Sequence, residues 1–270
     1  MLLPRAFYRH RLPTRLWHWT NAVTLTVMLM SGLMIFNAHP RLYWGQAGAN
    51  SNAPWLAIGP TAHGGHLVVG PVEIPTGGVL GRWRDQHGVE RTRAFPWWLT
   101  IPSGYSLAAA RRWHLSFAWI LVLASLCYLG FGLANRHLAR DLIPARRELS
   151  PRHIWHDVVE HAKLRFPTGA AAMRYGILQK LSYGGVVFVL IPLVILTGMT
   201  MSPSFDANFP VLPFIFGGRQ SARSIHFLCA FGLVGFTVVH LVMVLLAGPL
   251  NQVRSMLTGR FVIPVSEDET

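Results

Sequence analysis

The apolar residues of this chain are concentrated in four long segments that contain no Asp, Glu, Lys or Arg. These segments are roughly Leu16–Asn37, Trp113–Asn135, Leu181–Ser202 and Ile225–Gly248. Each has about 20 residues or more, which is the length that a helix needs to cross a hydrocarbon core of ~30 Å. The pattern predicts an all-α membrane protein, a bundle of four transmembrane helices that forms a single domain over residues 1–270.

The segments between the predicted spans include two long loops. The first loop, residues 38–112, is rich in Gly, Pro and Trp and contains alternating stretches at Val68–Ile74 and Gly77–Trp83. Stretches in which apolar residues alternate with others, bounded by glycine and proline, predict a small β-hairpin. A loop of this length is typical of a cap or a docking surface. In the second loop, residues 136–180, the segment Ser150–His161 predicts a short helix on the membrane surface.

The charged residues are few and predominantly basic. Only 13% of the residues are charged, with 24 Lys and Arg against 11 Asp and Glu, whereas a soluble domain usually has about 25%. Fifteen of the basic residues lie in the N-terminal arm, the second loop and the C-terminal tail, and nine lie on the opposite side. The positive-inside rule then predicts that both termini are cytoplasmic. Because topology accounts for the basic excess, we expect no nucleic-acid partner.

Four histidines lie in or at the ends of the predicted spans: His18, His114, His226 and His240. The last two are 14 residues apart in the fourth span, so they share one helix face and are separated by about 21 Å along its axis. One metal ion cannot bind both, whereas two stacked cofactors can. With the predicted topology, His18 and His240 lie near the cytoplasmic surface, and His114 and His226 lie near the outer surface.

Each predicted pair of imidazoles supplies two axial ligands for a haem iron. Bis-histidine ligation leaves no open position on the iron, so such a haem exchanges electrons and does not bind oxygen. Arg15, Arg111 and Arg112 neighbour these histidines and are candidates to neutralise haem propionates. Alternatively, these arginines only anchor the helices at the membrane interface. For the histidines too there is an alternative, because a single histidine at the end of a span is often an interfacial residue and not a ligand.

Several of these residues lie in motifs that resemble a known family. Arg15–Trp19, Arg112–His114 and the pair of histidines in the fourth span resemble the bacterial di-haem cytochrome b subunits. These include formate dehydrogenase gamma subunits and the b-type cytochromes of nickel–iron hydrogenases. Ser31–Gly45 and Pro96–Ser103 are similar to a narrower branch, the thiosulfate-reductase-like cytochromes b. The resemblance covers nearly the whole chain.

The resemblance implies a protein of the bacterial inner membrane with two haem b groups and four axial ligands, His18, His114, His226 and His240. It also implies an exchangeable quinone, menaquinone or ubiquinone, and a periplasmic redox subunit, often a molybdopterin or iron–sulfur protein. Substrate catalysis then belongs to that partner, and this chain has no assigned catalytic residue. The long first loop departs from the formate dehydrogenase gamma subunits, so their mode of partner docking does not transfer directly.

The sequence therefore predicts an electron-transfer subunit that links the quinone pool to a periplasmic oxidoreductase, with a molybdoenzyme as the expected partner. By position alone, four residues on the inner side are candidates for a quinone site: Asn135, His137, Lys180 and Tyr183. One alternative is a stand-alone, quinol-oxidising cytochrome b561-like protein. Others are a passive membrane anchor and a transporter that uses intramembrane histidines, which also predicts carboxylates that the spans lack.

Overall fold

A computed structural model describes residues 6–62, 64–136, 138–165 and 175–262 of the chain. In chain order its α-helices are α1 (Leu12–Phe36), α2 (Leu107–Ala134), α3 (Pro151–Ala162), α4 (Ile177–Gly185), α5 (Ile191–Met201), α6 (Pro203–Asn208), α7 (Val211–Ile215), α8 (Arg219–Leu246) and α9 (Pro249–Thr258). The strands are β1 (Ala6–Tyr8), β2 (Arg41–Leu42), β3 (Leu56–Thr61), β4 (Gly64–Val69), β5 (Val72–Pro75), β6 (Trp83–Arg84), β7 (Glu90–Arg91) and β8 (Arg260–Val262).

Four helical segments of the described chain are long and apolar enough to cross a membrane: α1, α2, the segment Ile177–Met201 that contains α4 and α5, and α8. The prediction of a four-helix membrane protein is therefore confirmed. Each helical segment begins four to six residues before the uncharged segment that predicted it. The helices continue through basic residues such as Arg15 and Lys180, because long basic side chains bury their stems and leave the charge at the interface.

The third span is interrupted by a π-helical turn, Val186–Leu190, between α4 and α5. At its end the backbone N–H of Ile191 donates to the carbonyl of Val186, five residues earlier. Pro192 follows directly, and its ring lacks an N–H and disturbs the regular α-helical bonding of the preceding turn. The widened turn therefore has a local cause in the sequence.

The described chain packs into two compact units. Unit 1 comprises Met1–Asn21, Leu123–Ile191 and Phe231–Thr270, and unit 2 comprises Ala22–Val122 and Pro192–Ala230. Each of the four spans contributes one part to each unit. This division does not test whether the whole chain is a single cytochrome b domain, which stays a prediction.

Unit 1 contains the helix predicted in the second loop. Helix α3 begins directly after Ser150, whose hydroxyl accepts a hydrogen bond from the backbone N–H of His153. Pro151 occupies the first helical position, where no backbone N–H needs a partner. In the same unit β1 pairs antiparallel with β8. One cluster of buried apolar residues in unit 1 consists of Tyr128, Leu138, Leu142 and Val187.

Unit 2 contains the first loop, which folds into two antiparallel sheets. The larger sheet has the strand order β2–β3–β4–β5, and β6 pairs with β7. The predicted hairpin is confirmed, since Val69 of β4 pairs with Val72 of β5. The turn between them begins at Gly70, whose φ of 56° suits the first position of a two-residue hairpin turn. Of the second predicted stretch, only Trp83 lies in a strand.

The first loop is fastened to the ends of α1 and α8. Asn37, directly after α1, donates to the carbonyl of Phe95 at 3.1 Å and accepts from its backbone N–H at 2.7 Å. The carbonyl of Gly45 accepts from the backbone N–H groups of Gln220 and Ser221, which are among the unpaired donors at the start of α8. The buried core beneath the loop consists of Leu33, Phe36, Leu42, Leu56, Ile58, Ala94 and Phe95.

Candidate functional site

The four span histidines form two pairs of facing rings, one in each unit. In unit 1 the ring centroids of His18 and His240 are 6.2 Å apart and the rings are inclined by 60°. In unit 2 the centroids of His114 and His226 are also 6.2 Å apart, with an inclination of 58°. The structure thus brings together the same partners that spacing and topology pair in the sequence.

This separation suits a single metal ion between two imidazoles. An imidazole nitrogen binds a first-row metal at about 2 Å, which places the centroids of two opposed rings roughly 6 Å apart. Two opposed histidines are the axial ligand set of an electron-transfer haem, in which the porphyrin supplies the remaining four nitrogens. The residues present at both pairs therefore fit a bis-histidine haem.

In unit 2, two acceptors fix the tautomer of His114. Its Nδ1 lies 3.1 Å from the carbonyl oxygen of Met28 and 3.2 Å from the hydroxyl of Ser31. The Ser31 hydroxyl donates its own proton to the carbonyl of Val27 at 2.7 Å, so toward His114 its oxygen acts as an acceptor. Nδ1 then carries the imidazole proton, and Nε2 keeps the lone pair that binds a metal.

His226 is held in the same way from another helix. Its Nδ1 lies 3.1 Å from the hydroxyl of Thr197, which donates to the carbonyl of Leu193 at 2.6 Å. The hydroxyl oxygen therefore accepts from His226 Nδ1–H, and Nε2 is again the nitrogen available to a metal. Both histidines of unit 2 are thus oriented by a hydroxyl from a neighbouring span.

Each of these hydroxyl residues is followed by a glycine on which the histidine ring packs. A Cβ added to Gly32 would lie 3.3 Å from Cε1 of His114, and one added to Gly198 would lie 3.4 Å from Cε1 of His226. A side chain at either position would press on the ring. The motif hydroxyl–glycine, Ser31-Gly32 in α1 and Thr197-Gly198 in α5, therefore provides both the hydrogen bond and the space.

The pair in unit 1 is surrounded by aromatic rings. Phe236 stacks on His240 with a centroid distance of 5.7 Å and an angle of 13°, and Tyr183 meets His240 edge-on at 6.4 Å. Trp19 meets His18 edge-on at 5.1 Å. These rings give both histidines apolar neighbours.

A stripe of buried polar atoms lies on the same face of α1 as His18. Thr14, Trp17, His18 and Asn21 follow the helical spacing that places side chains on one face. Each has one buried polar atom without a hydrogen-bond partner among the described residues: Oγ1, Nε1, Nδ1 and Oδ1, respectively. Native proteins rarely leave such atoms unpaired, so this face fits a bound group that reaches them.

The three arginines of the sequence analysis have different surroundings. Arg15 is partly buried, and its Nε donates to the carbonyl of Met256 in α9 at 3.3 Å. Arg111 and Arg112 are exposed in the early turns of α2, close in sequence to His114. A role for any of them at a haem propionate stays a prediction.

Of the proposed quinone residues, Tyr183 is brought next to a histidine pair. Lys180 is engaged by Glu148, whose two carboxylate oxygens both lie 2.9 Å from its ammonium group. Asn135 is exposed directly after α2 and donates to the carbonyl of Phe131 in the last turn of that helix. His137 lies outside the described residues.

Further residues near Tyr183 were not anticipated from the sequence. Tyr175 meets Tyr183 edge-on at 5.7 Å, and its hydroxyl lies 3.3 Å from Nδ1 of His10, which is itself buried. Burial raises the pKa of Tyr175, so its hydroxyl stays protonated. No local pattern marks this contact, because His10 and Tyr175 are 165 positions apart.

An apolar cavity of about 200 Å³ lies in unit 1. Its lining residues are Gly132, Leu133, Arg136, Leu138, Ile143 and Phe188. Two of them belong to π-helical turns, Leu138 to the turn Leu138–Leu142 and Phe188 to the turn before Pro192. Such turns recur at functional sites, and the lining suits an apolar ligand.

Comparison with known proteins gives two matches. A family model described as prokaryotic cytochrome b561 matches residues 9–259. A protein of Azospira oryzae, named "Putative protein-methionine-sulfoxide reductase subunit YedZ1", is 26% identical over 232 residues, which cover 86% of this chain and 87% of that protein. No solved structure matches the chain.

Proposed function

Since the chain belongs to the prokaryotic cytochrome b561 family, we propose that it holds two haem b groups and carries electrons between the quinone pool and a periplasmic oxidoreductase. Family membership makes it a multi-pass bacterial membrane protein, a b-type cytochrome of electron transfer. The observation that carries the di-haem proposal is the repeated histidine geometry, with a centroid distance of 6.2 Å in both pairs.

A bound haem supplies one-electron chemistry, and the chain supplies its position and surroundings. His18 and His240 would hold one haem, and His114 and His226 the other. The hydroxyls of Ser31 and Thr197 keep the Nδ1 protons of the second pair in place. Two histidines at each haem would leave the iron no open position for oxygen, and the apolar spans would keep water away from it. The direction of electron flow follows from the potentials of the two partners.

We propose that quinone is handled beside the His18–His240 pair. Tyr183 lies against His240 and meets the ring of Tyr175, whose hydroxyl is hydrogen-bonded to His10. Oxidation of a quinol releases protons as well as electrons, and the hydroxyls of both tyrosines and the imidazole of His10 are groups close to the pair that can exchange protons. The apolar cavity of unit 1 suits part of a quinone. With both termini cytoplasmic, as the basic residues indicate, this is the cytoplasmic side.

We propose that a partner reached through unit 2 carries the substrate chemistry. The relative from Azospira oryzae is named as a putative subunit of a methionine-sulfoxide reductase, which favours an oxidoreductase partner for this chain as well. The family resemblance of the sequence suggests that this partner is of the molybdopterin or iron–sulfur class. The first loop presents exposed Trp44, which stacks on Trp55 at 5.7 Å. The indole N–H of Trp55 donates to Ser224, two residues before His226. The first loop therefore connects the exposed surface at Trp44 to α8, the helix that carries the proposed haem ligand His226.

Haem quantitation tests the di-haem assignment. We expect two b haems per chain in the purified protein, and about one in His18→Ala and in His114→Ala, because each removes an axial ligand from one iron only. His156→Ala is the matched control, since this histidine is exposed in α3 and should leave both haems bound. A wild-type chain with one haem or none would contradict the assignment.

A second experiment separates a subunit from a stand-alone cytochrome. We expect the chain to purify from membranes with an oxidoreductase, and its haems to be reduced when quinol is added. Tyr183→Phe should slow this reduction while leaving the haem content unchanged. If the isolated chain passes electrons from quinol to a soluble acceptor as fast as the complex does, the stand-alone alternative is correct.

A further inference from the structure

Arg223 is a partly buried cation close to the pair in unit 2. It lies in α8, three residues before His226. One guanidinium nitrogen donates to the carbonyl of His39, and the guanidinium carbon lies 5.6 Å from the ring centroid of Phe36. Among the described residues no carboxylate pairs with it. A buried cation that lacks a counter-ion is costly, so an anion is expected beside it.

Two further donors lie next to Arg223. Tyr43 is only 3% exposed, and its buried hydroxyl has no partner among the described residues. The same is true of Nε2 of His39, whose ring stacks on Tyr43 with a centroid distance of 5.7 Å. Burial, followed by the charges of Arg223 and Arg41, lowers the pKa of His39, so the ring is neutral and carries one N–H. We call Arg223, Tyr43 and His39 the donor cluster.

The backbone around the donor cluster is fixed to α8. The hydroxyl of Ser224 donates to the carbonyl of Tyr43 at 2.6 Å and accepts from the indole of Trp55 at 2.9 Å. Ser224 is fully buried. The cluster is therefore built by contacts that do not depend on a ligand, which lowers the cost of ordering it when one binds.

We propose that the donor cluster holds a propionate of the haem bound by His114 and His226. A guanidinium with two neutral donors offers the charge and the hydrogen bonds that a carboxylate accepts. Arg223 and His226 are three residues apart on one helix, so the two side chains project from neighbouring positions of its surface. The inference rests on the proposed function, because it assigns the carboxylate to a haem at that pair.

This assignment differs from the one that the sequence favours. Arg111 and Arg112 are closer in sequence to a histidine ligand, but both are exposed. A carboxylate held by exposed arginines gains little, because water screens the charges, whereas a partly buried guanidinium beside two buried polar atoms binds it more strongly. Arg223 is therefore the arginine that the packing favours.

The test uses the full chain in detergent in a His18→Ala background, where only the haem of the unit 2 pair is expected. The rate of haem transfer to excess apomyoglobin and the resonance Raman bands of propionate bending are measured. Arg223→Gln removes the charge, and Tyr43→Phe removes only the hydroxyl. Arg219→Gln is the matched control, because this exposed arginine of the same helix donates to the carbonyl of Met201. A parallel arm replaces haem by its dimethyl ester, which has no carboxylate.

We expect Arg223→Gln to release haem about tenfold faster, as the loss of a charge-assisted hydrogen bond predicts, and to shift the propionate bands. Tyr43→Phe should have a smaller effect of the same kind, and Arg219→Gln none. The ester should leave the wild-type site faster than haem, and this difference should shrink in Arg223→Gln. Equal rates in all variants overturn the inference.

Equal release of haem and ester from the wild-type site also overturns it. If added acetate then protects the chain against unfolding, the cluster binds a free carboxylate instead. Absence of haem from both the wild-type chain and the His18→Ala background would overturn the proposed function, which distinguishes the two failures. Loss of haem in Arg223→Gln without a change in the propionate bands of the haem that remains would assign Arg223 a purely structural role and contradict the inference.

Discussion

The hydroxyl of Thr197 lies 3.1 Å from Nδ1 of His226 and donates its own proton to a backbone carbonyl. It is therefore an acceptor that selects one tautomer of the imidazole. Ser31 has the same relation to His114, and each hydroxyl residue is followed by a glycine that makes room for the ring. Each of the two proposed ligands of unit 2 is thus supported by a hydroxyl residue and the glycine that follows it, and the two pairs lie in different spans.

Thr197→Val should weaken the binding of haem by the unit 2 pair. Valine has nearly the same shape as threonine but cannot accept from Nδ1, and outer partners of metal-bound histidines typically contribute about 10–100-fold to metal affinity. We expect faster haem loss and a shifted spectrum for one of two haems. Thr200→Val is the control, because Thr200 is equally buried in α5 and its hydroxyl donates only to the carbonyl of Leu196. Haem content and haem release measure the difference; identical behaviour of the two variants would contradict the assignment.

Gly32→Ala should disturb the same haem by a steric route. The added Cβ would lie 3.3 Å from Cε1 of His114, so the ring must shift by a few tenths of an ångström or tilt. Gly130→Ala is the control: it also changes a glycine in a span, and its Cβ would meet nothing within 4 Å. We expect an altered electron paramagnetic resonance signal for one haem in Gly32→Ala only. An unchanged signal would mean that the ring does not rest on this glycine.

The sequence predicts those features that depend on local regularity. Span length gives the four helices, and the 14-residue interval places His226 and His240 on one face. The supporting residues cannot be found this way, because Ser31 contacts a histidine 83 positions away and small polar residues are common in helices. The helices begin before the uncharged segments, since they continue through interfacial arginine and lysine.

In the first loop, too, the sequence predicts local structure but not the contacts between residues that are distant in the chain. The hairpin at Gly70 is local and was predicted, whereas the remaining strands pair residues whose partners the sequence does not mark. No local spacing connects Tyr43, which lies in a loop, with Arg223, which lies near the end of a span. Their proximity follows from Ser224, which binds the backbone of Tyr43, and that contact exists only in the folded chain.

Asn37→Ala should release the first loop from the end of α1. Asn37 exchanges two hydrogen bonds with the backbone of Phe95, and both residues are buried. Alanine leaves a buried N–H and a buried C=O unpaired, which costs about 2–4 kcal/mol in total. Hydrogen exchange should become faster around Ala94 and Phe95. Asn135→Ala, which removes an exposed hydrogen bond at the C-terminal end of α2, should leave exchange in the first loop unchanged. If the loop is as well protected in Asn37→Ala as in the wild-type chain, the prediction is wrong.

Glu148→Gln should lower stability in a pH-dependent way. The hydrogen bond from Lys180, followed by that from the backbone of Ala145, lowers the pKa of Glu148 below its ordinary value of 4.5. The carboxylate thus stabilises the fold at pH values above 4.5, and this contribution is lost as pH falls through the lowered pKa. Because Glu148 is 29% exposed, we expect a loss of at most about 1 kcal/mol. Unfolding in mixed micelles should show a constant difference from wild type at neutral pH that vanishes in acid. Glu73→Gln, at an exposed position of β5, is the control, and a difference that persists at low pH would show that the charge is not the cause.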